Sequence, residues 1–234
     1  MAQDKVMISY NTGEVTRRPD FYDYVNMLEK PEGSALLPCH ERSPAHGRNL
    51  IIYKAQELGY THVLFIDDDM TFESHFLNKI LENGHLPIVS GLYLSRQFPH
   101  APVIFDLADD DGSCCPMYLI DKVRLKPIVA AGFGFLLIRM EVFEKLEKPY
   151  VRLGELPGAS DQWCDDIGFF NRVRKANIPA YCDLEVNCGH MGTMIVKPVF
   201  KDGQWFTEYD TGNPQGSILF PQVSPKPQYE FKEA

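Results

Sequence analysis

The sequence lacks several features that would have fixed its class. Its six cysteines, Cys39, Cys114, Cys115, Cys164, Cys182 and Cys188, include no CxxC pair, so the spacing of a zinc ribbon or of a thioredoxin-type redox centre is missing. There is no run of Lys or Arg, and the formal net charge is -9; a general nucleic-acid binder carries a basic stripe instead. The N-terminal segment has no basic start leading into a long apolar run, as a signal peptide has. The best internal apolar stretch, Ile128 to Ile138, is too short to span a bilayer. The first apolar run leads into Asn11-Thr12-Gly13-Glu14, with a single Gly where a phosphate-binding loop would carry several. No internal repeat occurs. These absences lead to the expectation of a cytoplasmic protein with reduced thiols and no membrane span.

The chain has 234 residues, 44% of them hydrophobic. That is enough to bury a core without disulfides, as one domain with a tail. Val6 to Tyr10 predicts a buried first strand. Pro19 to Leu28 has apolar residues at helical spacing. Ser43 and Pro44 are an N-cap and first turn for a helix to Leu58, with Gly59 as its stop. His62 to Ile66 is a near-continuous apolar run, as a parallel strand buried on both faces requires. A helix over Glu73 to Leu81 and a strand over Ile88 to Leu94 follow. This alternation predicts an α/β fold with a mostly parallel central sheet flanked by helices.

The middle is expected to be less regular. A polar turn spans Asp109 to Cys115. Short, antiparallel strands are expected at Met117 to Ile120 and Pro127 to Ala131, then a strand over Leu136 to Ile138 and a helix over Glu141 to Leu146. A Gly- and Pro-rich loop runs from Leu153 to Ser160. The last helix is Asp165 to Lys175, and closing strands are expected at Ala180 to Asp183 and Glu185 to Cys188. Val199 to Phe206 reads as a hairpin turning at Asp202-Gly203, and the chain from Thr211 as an irregular tail. The expected division is residues 1–198 as the α/β domain and 199–234 as hairpin and tail.

Three constellations carry chemistry. Asp67, Asp68 and Asp69 directly follow the apolar run, at the carboxyl end of a strand, where open α/β sheets bind ligands. Three adjacent anions repel unless a cation compensates, and a hard divalent ion, Mn²⁺ or Mg²⁺, is the natural partner; a solvated acidic loop or a helix cap is the alternative. Asp165 and Asp166 open the last helix, where carboxylates gain from the dipole, and one of them is placed to serve as a general base. His190, between Gly189 and Met191 in CGHMG, is a candidate nitrogen ligand for the same ion. Cys182 and Cys188 stand near it in sequence, but at no standard zinc spacing.

In this order the motifs resemble those of GT-A fold glycosyltransferases, especially the family-two-like inverting enzymes. FIDDDM is similar to their Asp-x-Asp signature, with Asp67 and Asp69 as its ends. Arg48-Asn49 resembles the Arg-Asn pair of the preceding helix. VSGLYLSR, with Gly91, Tyr93 and Arg96, and AAGFGFLLIRMEVFEKL resemble the segments between. CDDIGFFNRVRKANIPAYCDLEVNCGHMG is similar to the Glu-Asp helix, closing strand and His. The likeness runs over about residues 5 to 192.

The resemblance implies a Rossmann-like GT-A sheet with a small antiparallel portion on the acceptor side. It implies Asp69, Asp67 and His190 as metal ligands, and Asp166, with Asp165 beside it, as the base. Ser9, Tyr10, Asn11, Arg48, Asp67 and Asp68 would meet a UDP- or GDP-sugar donor. Tyr93, Arg96, Gly134 and Trp163 would meet the acceptor. The implied activity is metal-dependent hexosyl transfer from a nucleotide-diphosphate-sugar to an acceptor hydroxyl. A chain this compact suits viruses and phages, acting in the host cytoplasm, where the acceptor would be a glycan or a hydroxymethylated DNA base. A sugar nucleotidyltransferase, a non-catalytic nucleotide-sugar-binding module and a zinc-stabilised structural protein are the alternatives.

Overall fold

Apolar runs of five or six residues form the centre of the molecule. The computed structural model describes residues 4–12, 19–41, 43–96, 100–108, 114–118, 123–153, 165–192, 195–210 and 218–221. In chain order its elements are β1 (Val6–Asn11), α1 (Pro19–Met27), β2 (Ala35–Leu36), α2 (Pro44–Glu57), β3 (His62–Asp67), β4 (Met70–Thr71), α3 (Phe76–Leu81) and β5 (Ile88–Leu92). Then come β6 (Ile104–Leu107), β7 (Cys114–Pro116), β8 (Leu125–Ile128), β9 (Ala130–Ala131), β10 (Phe135–Arg139), α4 (Met140–Glu144) and α5 (Asp165–Lys175). The chain closes with β11 (Ala180–Asn187), β12 (Gly189–Met191), β13 (Ile195–Lys201), β14 (Gln204–Asp210) and β15 (Ile218–Pro221).

The main sheet is seven-stranded, in the order β2-β1-β3-β10-β5-β11-β8. Strands β2, β1, β3, β5 and β11 run one way, while β10 and β8 run against them. The sheet is therefore mostly parallel in direction, but β10 interrupts it between β3 and β5. Both faces are covered, which explains the unbroken apolar run of β3. Val63 and Phe65 join a core with Ile51, Ile52 and Ala55 of α2, Val142 and Phe143 of α4, and Phe170 of α5. Leu64 and Ile66 join a second core with Phe21 and Val25 of α1 and Leu77 and Ile80 of α3. Alternate side chains of an extended strand point to opposite faces, so each core takes every second residue.

Two smaller antiparallel sheets complete the structure, β15-β14-β13-β12-β4 and β7-β6-β9. The hairpin of β13 and β14 turns at Asp202 and Gly203, both at positive φ (51° and 82°), as its Asp-Gly pair predicts. Its strands are longer than expected. The division expected at residue 198 falls inside β13, and Trp205 of β14 packs into the first core.

Other boundaries moved for local reasons. The helix expected from Glu73 begins at Phe76, and before it Met70 and Thr71 are still extended and pair with β12. The two expected closing strands are one, β11, whose pairing with β5 shifts register between Asp183 and Asn187; such a bulge breaks the alternation a sequence reading follows. The strand expected at Met117 to Ile120 lies earlier, at β7, which pairs with the unexpected β6. Ser43 caps α2 through His46 N–H, and Gly59 ends it at φ 68°. Gly13, residues 109–113, 119–120 and 154–160, Trp163, Cys164 and the tail at 211–217 and 222–234 lie outside the described residues. Among the described residues, Cys39, Cys115, Cys182 and Cys188 are free thiols, and no helix is long and apolar enough to cross a membrane.

At the start of β3, His62 is 3% exposed. Its Nε2 lies 2.9 Å from Gly84 O and its Nδ1 2.8 Å from Thr61 Oγ1. Burial pushes its pKa below the ordinary 6.5, against the pull of the Gly84 carbonyl, Asp4 and Glu141; Arg139 pushes it down further. Below about pH 6.5 the unfolded chain therefore takes up a proton that the folded chain resists, and stability falls with pH. The thermal midpoint should drop between pH 7.5 and pH 5.5, and the drop should shrink in His62→Gln. That variant should cost about 1 kcal/mol at pH 7.5 through its altered hydrogen bonds, or about 2–4 °C. A pH slope identical in both proteins would remove His62 as its source.

Candidate active site

The register of the main sheet sets two strand ends side by side. Asn11 is opposite Asp67 in the parallel pair of β1 and β3. Asp67 N–H donates to Gly134 O at 3.2 Å, so the turn before β10 closes over the same end. The chain then turns through Asp68 and Asp69 into β4, where Met70 pairs with His190. Met191 N–H donates to Asp69 O at 2.7 Å. This pairing, across more than a hundred residues of sequence, brings His190 beside Asp69.

Arg48 joins three elements here. It rises from α2, is 8% exposed, and its guanidinium Cζ lies 4.1 Å from the centre of the Phe133 ring. Nη1 donates to Asp165 Oδ2 on α5, and Nη2 donates to Asp67 Oδ1 on β3 at 3.1 Å. Burial works against the Arg48 charge, but Asp67, Asp165 and Asp166 outweigh it and raise its pKa. The pKa of Asp67 is raised by burial, with Asp69 adding to it and Arg48 opposing it. Arg48, expected to face the donor, thus spends its fork on two carboxylates.

Asp165 and Asp166 consequently differ. Asp165 is held by Arg48. Asp166 is less buried, and its Oδ1 accepts from Ile167 N–H at 3.0 Å in the first turn of α5. The second oxygen of Asp166 is not required by the Arg48 fork.

Asp69 has a different environment. Its Oδ2 lies 2.9 Å from Arg96 Nη1. Its Oδ1 is buried, has no hydrogen-bond partner, and lies 3.4 Å from His190 Nε2. On the other side of the imidazole, Nδ1 lies 2.8 Å from Leu94 O. A carbonyl only accepts, so Nδ1 carries the proton, and in the neutral ring Nε2 presents a lone pair to the carboxylate. Two acceptors facing each other need a second proton or a metal ion between them. A carbonyl behind a ligating imidazole is the usual support of a metal-bound His. Burial raises the Asp69 pKa, but His190 and Arg96 more than offset this and hold it below the ordinary carboxylate range. Asp69 and His190 are of the donor types that a divalent ion takes, and a proton on Nε2 would join the same two atoms. Asp67 Oδ1 is held by Arg48, and among the described residues no group of three or more His, Cys, Asp or Glu is arranged around one point.

The remaining expected residues divide by depth. Tyr93 is 3% exposed. Its hydroxyl accepts from Gly134 N–H at 3.1 Å, and its ring meets His190 edge-on at 5.4 Å. Burial drives its pKa well above the ordinary value. A Cβ at Gly134 would come within 2.6 Å of Tyr93 Cζ. Rather than lining an acceptor surface, Tyr93 and Gly134 brace His190 from inside. Ser9 and Tyr10 are likewise interior, Tyr10 against Phe21 at 5.1 Å. Asn11 reaches the strand end, where its Oδ1 is buried and unpartnered. Asp68 is part-exposed in the turn. Trp163 lies outside the described residues.

Sequence reasoning did not find Cys39, Gly47 or Phe133. Together with Ser9, Asn11 and Arg48, Cys39 and Gly47 line a small cavity at the strand end. A Cβ on Gly47 would meet Cys39 Sγ at 2.8 Å. The signal for it was a lone Gly inside a helix, which costs about 1 kcal/mol relative to Ala and needs a reason.

No family model matches the chain, and no curated protein matches it. Among solved structures it is similar to A197 from STIV, with a TM-score of 0.56 and 17% identity, over 97% of this chain and 99% of that one. At this identity the likeness speaks to the fold, which the two share nearly end to end, and not to chemistry. The nucleoside-diphosphate-sugar pyrophosphorylase from Vibrio cholerae RC9 matches at a TM-score of 0.39 and 7% identity, over 75% of this chain and 71% of that one. That overlap is too loose to carry an argument.

Removing Arg48 should leave two carboxylates without their counter-charge. Arg48→Met should cost about 3–5 kcal/mol, as breaking a buried ion pair from one side does. Adding Asp165→Asn should recover part of that loss. Urea denaturation of both variants checks this; a cost for Arg48→Met below about 1 kcal/mol would show that the bridge does not hold α5 to β3.

Proposed function

We propose that the chain is a metal-dependent glycosyltransferase, moving a sugar from a UDP- or GDP-sugar to an acceptor hydroxyl with inversion. The observation that carries this reading is the facing pair of Asp69 and His190. Nε2 points at a buried carboxylate oxygen that nothing else satisfies, and Asp67, two residues before Asp69, is joined through Arg48 to Asp165 at the start of α5. Asp69 and His190 would hold Mn²⁺ or Mg²⁺. When bound, such an ion neutralises the donor diphosphate and stabilises its departure.

The residues of the chain supply the rest. Asn11, at the end of β1, offers its unpartnered Oδ1 to the donor's nucleoside. Arg48 fixes Asp165 and so the N-terminus of α5. Asp166 takes the proton from the acceptor hydroxyl. The acceptor oxygen bonds to the anomeric carbon as that carbon's bond to the phosphate oxygen breaks, and the nucleoside diphosphate leaves with the electron pair. The transition state is oxocarbenium-like, as in glycoside hydrolysis. A glycan or a hydroxymethylated DNA base supplies the hydroxyl.

Purified protein mixed with UDP- and GDP-sugars should release nucleotide from one of them with Mn²⁺ or Mg²⁺ present. EDTA and Asp69→Ala should each abolish that release. Asp166→Asn should lower transfer to acceptor by about 10²–10⁴-fold while leaving donor binding intact. Tight donor binding with no release in the native protein would point to a binding module. Turnover of a nucleoside triphosphate with a sugar 1-phosphate would point to a nucleotidyltransferase.

A further inference from the structure

Two arginines serve the aspartates of the site, and they are held very differently. Arg48 is buried, stacked on Phe133 and shared between Asp67 and Asp165. Arg96 has a side chain 48% exposed, and among the described residues Asp69 is its one ionic partner, at 2.9 Å. A half-exposed ion pair of this kind exchanges readily. Arg96 contacts the same carboxylate whose other oxygen faces His190. A guanidinium and a divalent cation on one carboxylate repel each other at such short range.

We infer that Arg96 competes with the divalent ion for Asp69 and makes its binding depend on the donor. This rests on the reading of Asp69 and His190 as ion ligands. A divalent ion alone adds two positive charges beside Arg48 and Arg96 and has to displace the latter. A donor diphosphate carries two negative charges and accepts a guanidinium fork well. Ion and donor together leave the charge of the site unchanged, and Arg96 passes from Asp69 to the diphosphate. Coupling of this form is reciprocal: each ligand strengthens the other by the same factor. Arg96 therefore acts on donor and ion, not on the acceptor.

The test is Mn²⁺ binding to the full chain, followed by the electron paramagnetic resonance of free Mn²⁺, alone and with UDP or GDP. Arg96→Gln should bind Mn²⁺ alone about tenfold more tightly than the native protein, given the strength of a freed, half-exposed pair plus the relieved repulsion. Nucleotide should tighten Mn²⁺ binding in the native protein, and by about tenfold less in Arg96→Gln. Arg96→Lys, which keeps the charge, should follow the native protein. Asp69→Ala should abolish binding in either background, and circular dichroism should show all variants folded. Equal Mn²⁺ affinity in native protein and Arg96→Gln overturns the inference and leaves the ion site standing. Absence of Mn²⁺ binding in every variant, with and without nucleotide, overturns the ion site and the inference together.

Discussion

The guanidinium of Arg48 is the joint on which the site is assembled. It links the carboxyl end of β3 to the N-terminus of α5 through Asp67 and Asp165, elements about a hundred residues apart in sequence. Burying a cation is costly unless its partners are well aligned. Here the fork has a carboxylate on each side and an aromatic face at 4.1 Å. Asp165, buried beside the guanidinium, would be costly at its depth without it, whereas the more exposed Asp67 side chain depends on it less. The two helix-opening aspartates differ accordingly: Asp165 faces inward to the fork, and Asp166 is less buried and caps the first turn of α5 through Ile167 N–H.

A second constraint acts on the other side of Asp67. The imidazole of His190 is fixed by Leu94 O behind it and the Tyr93 ring beside it. Tyr93 in turn fills the space over Gly134. Any larger residue there would push the phenol out, and His190 with it. The buried phenol looks unrelated to the chemistry, yet it sets the direction in which Nε2 points. Interior packing and the polar pair of Asp69 and His190 are thus one arrangement.

Much of this was legible in the sequence, because it is written in local patterns. The unbroken run of His62 to Ile66 announced a strand covered on both faces, and the Asp-Gly pair announced the turn of the last hairpin. Ser43 and Pro44 announced the start of α2 to the residue. The acidic triplet and the Asp165-Asp166 pair were visible as clusters. Their partnerships were not, since contact between Arg48 and Asp165 depends on how α2 and α5 cross the sheet, which no spacing encodes. Depth was misjudged for the same reason. The resemblance implies Tyr93 and Gly134 as acceptor contacts, whereas both are buried and the hydroxyl is used internally by Gly134 N–H. The small strands β6 and β7 were missed or displaced, being too short to show a period.

The antiparallel strand β10 explains why the site is compact. A purely parallel sheet would have placed β5 beside β3, each ending in its own loop. Because β10 enters between them from the opposite direction, the turn at Gly132 to Gly134 comes to the same edge as Asp67. Phe133, at the tip of that turn, becomes the platform for Arg48, and Gly134 becomes the contact for both Asp67 N–H and Tyr93. One reversed strand therefore supplies the aromatic floor of the buried ion pair and the seat of the phenol that orients His190. The acidic residues could be moved to another α/β sheet as letters, but without that reversal they would lack the surfaces that decide which oxygen faces which cation.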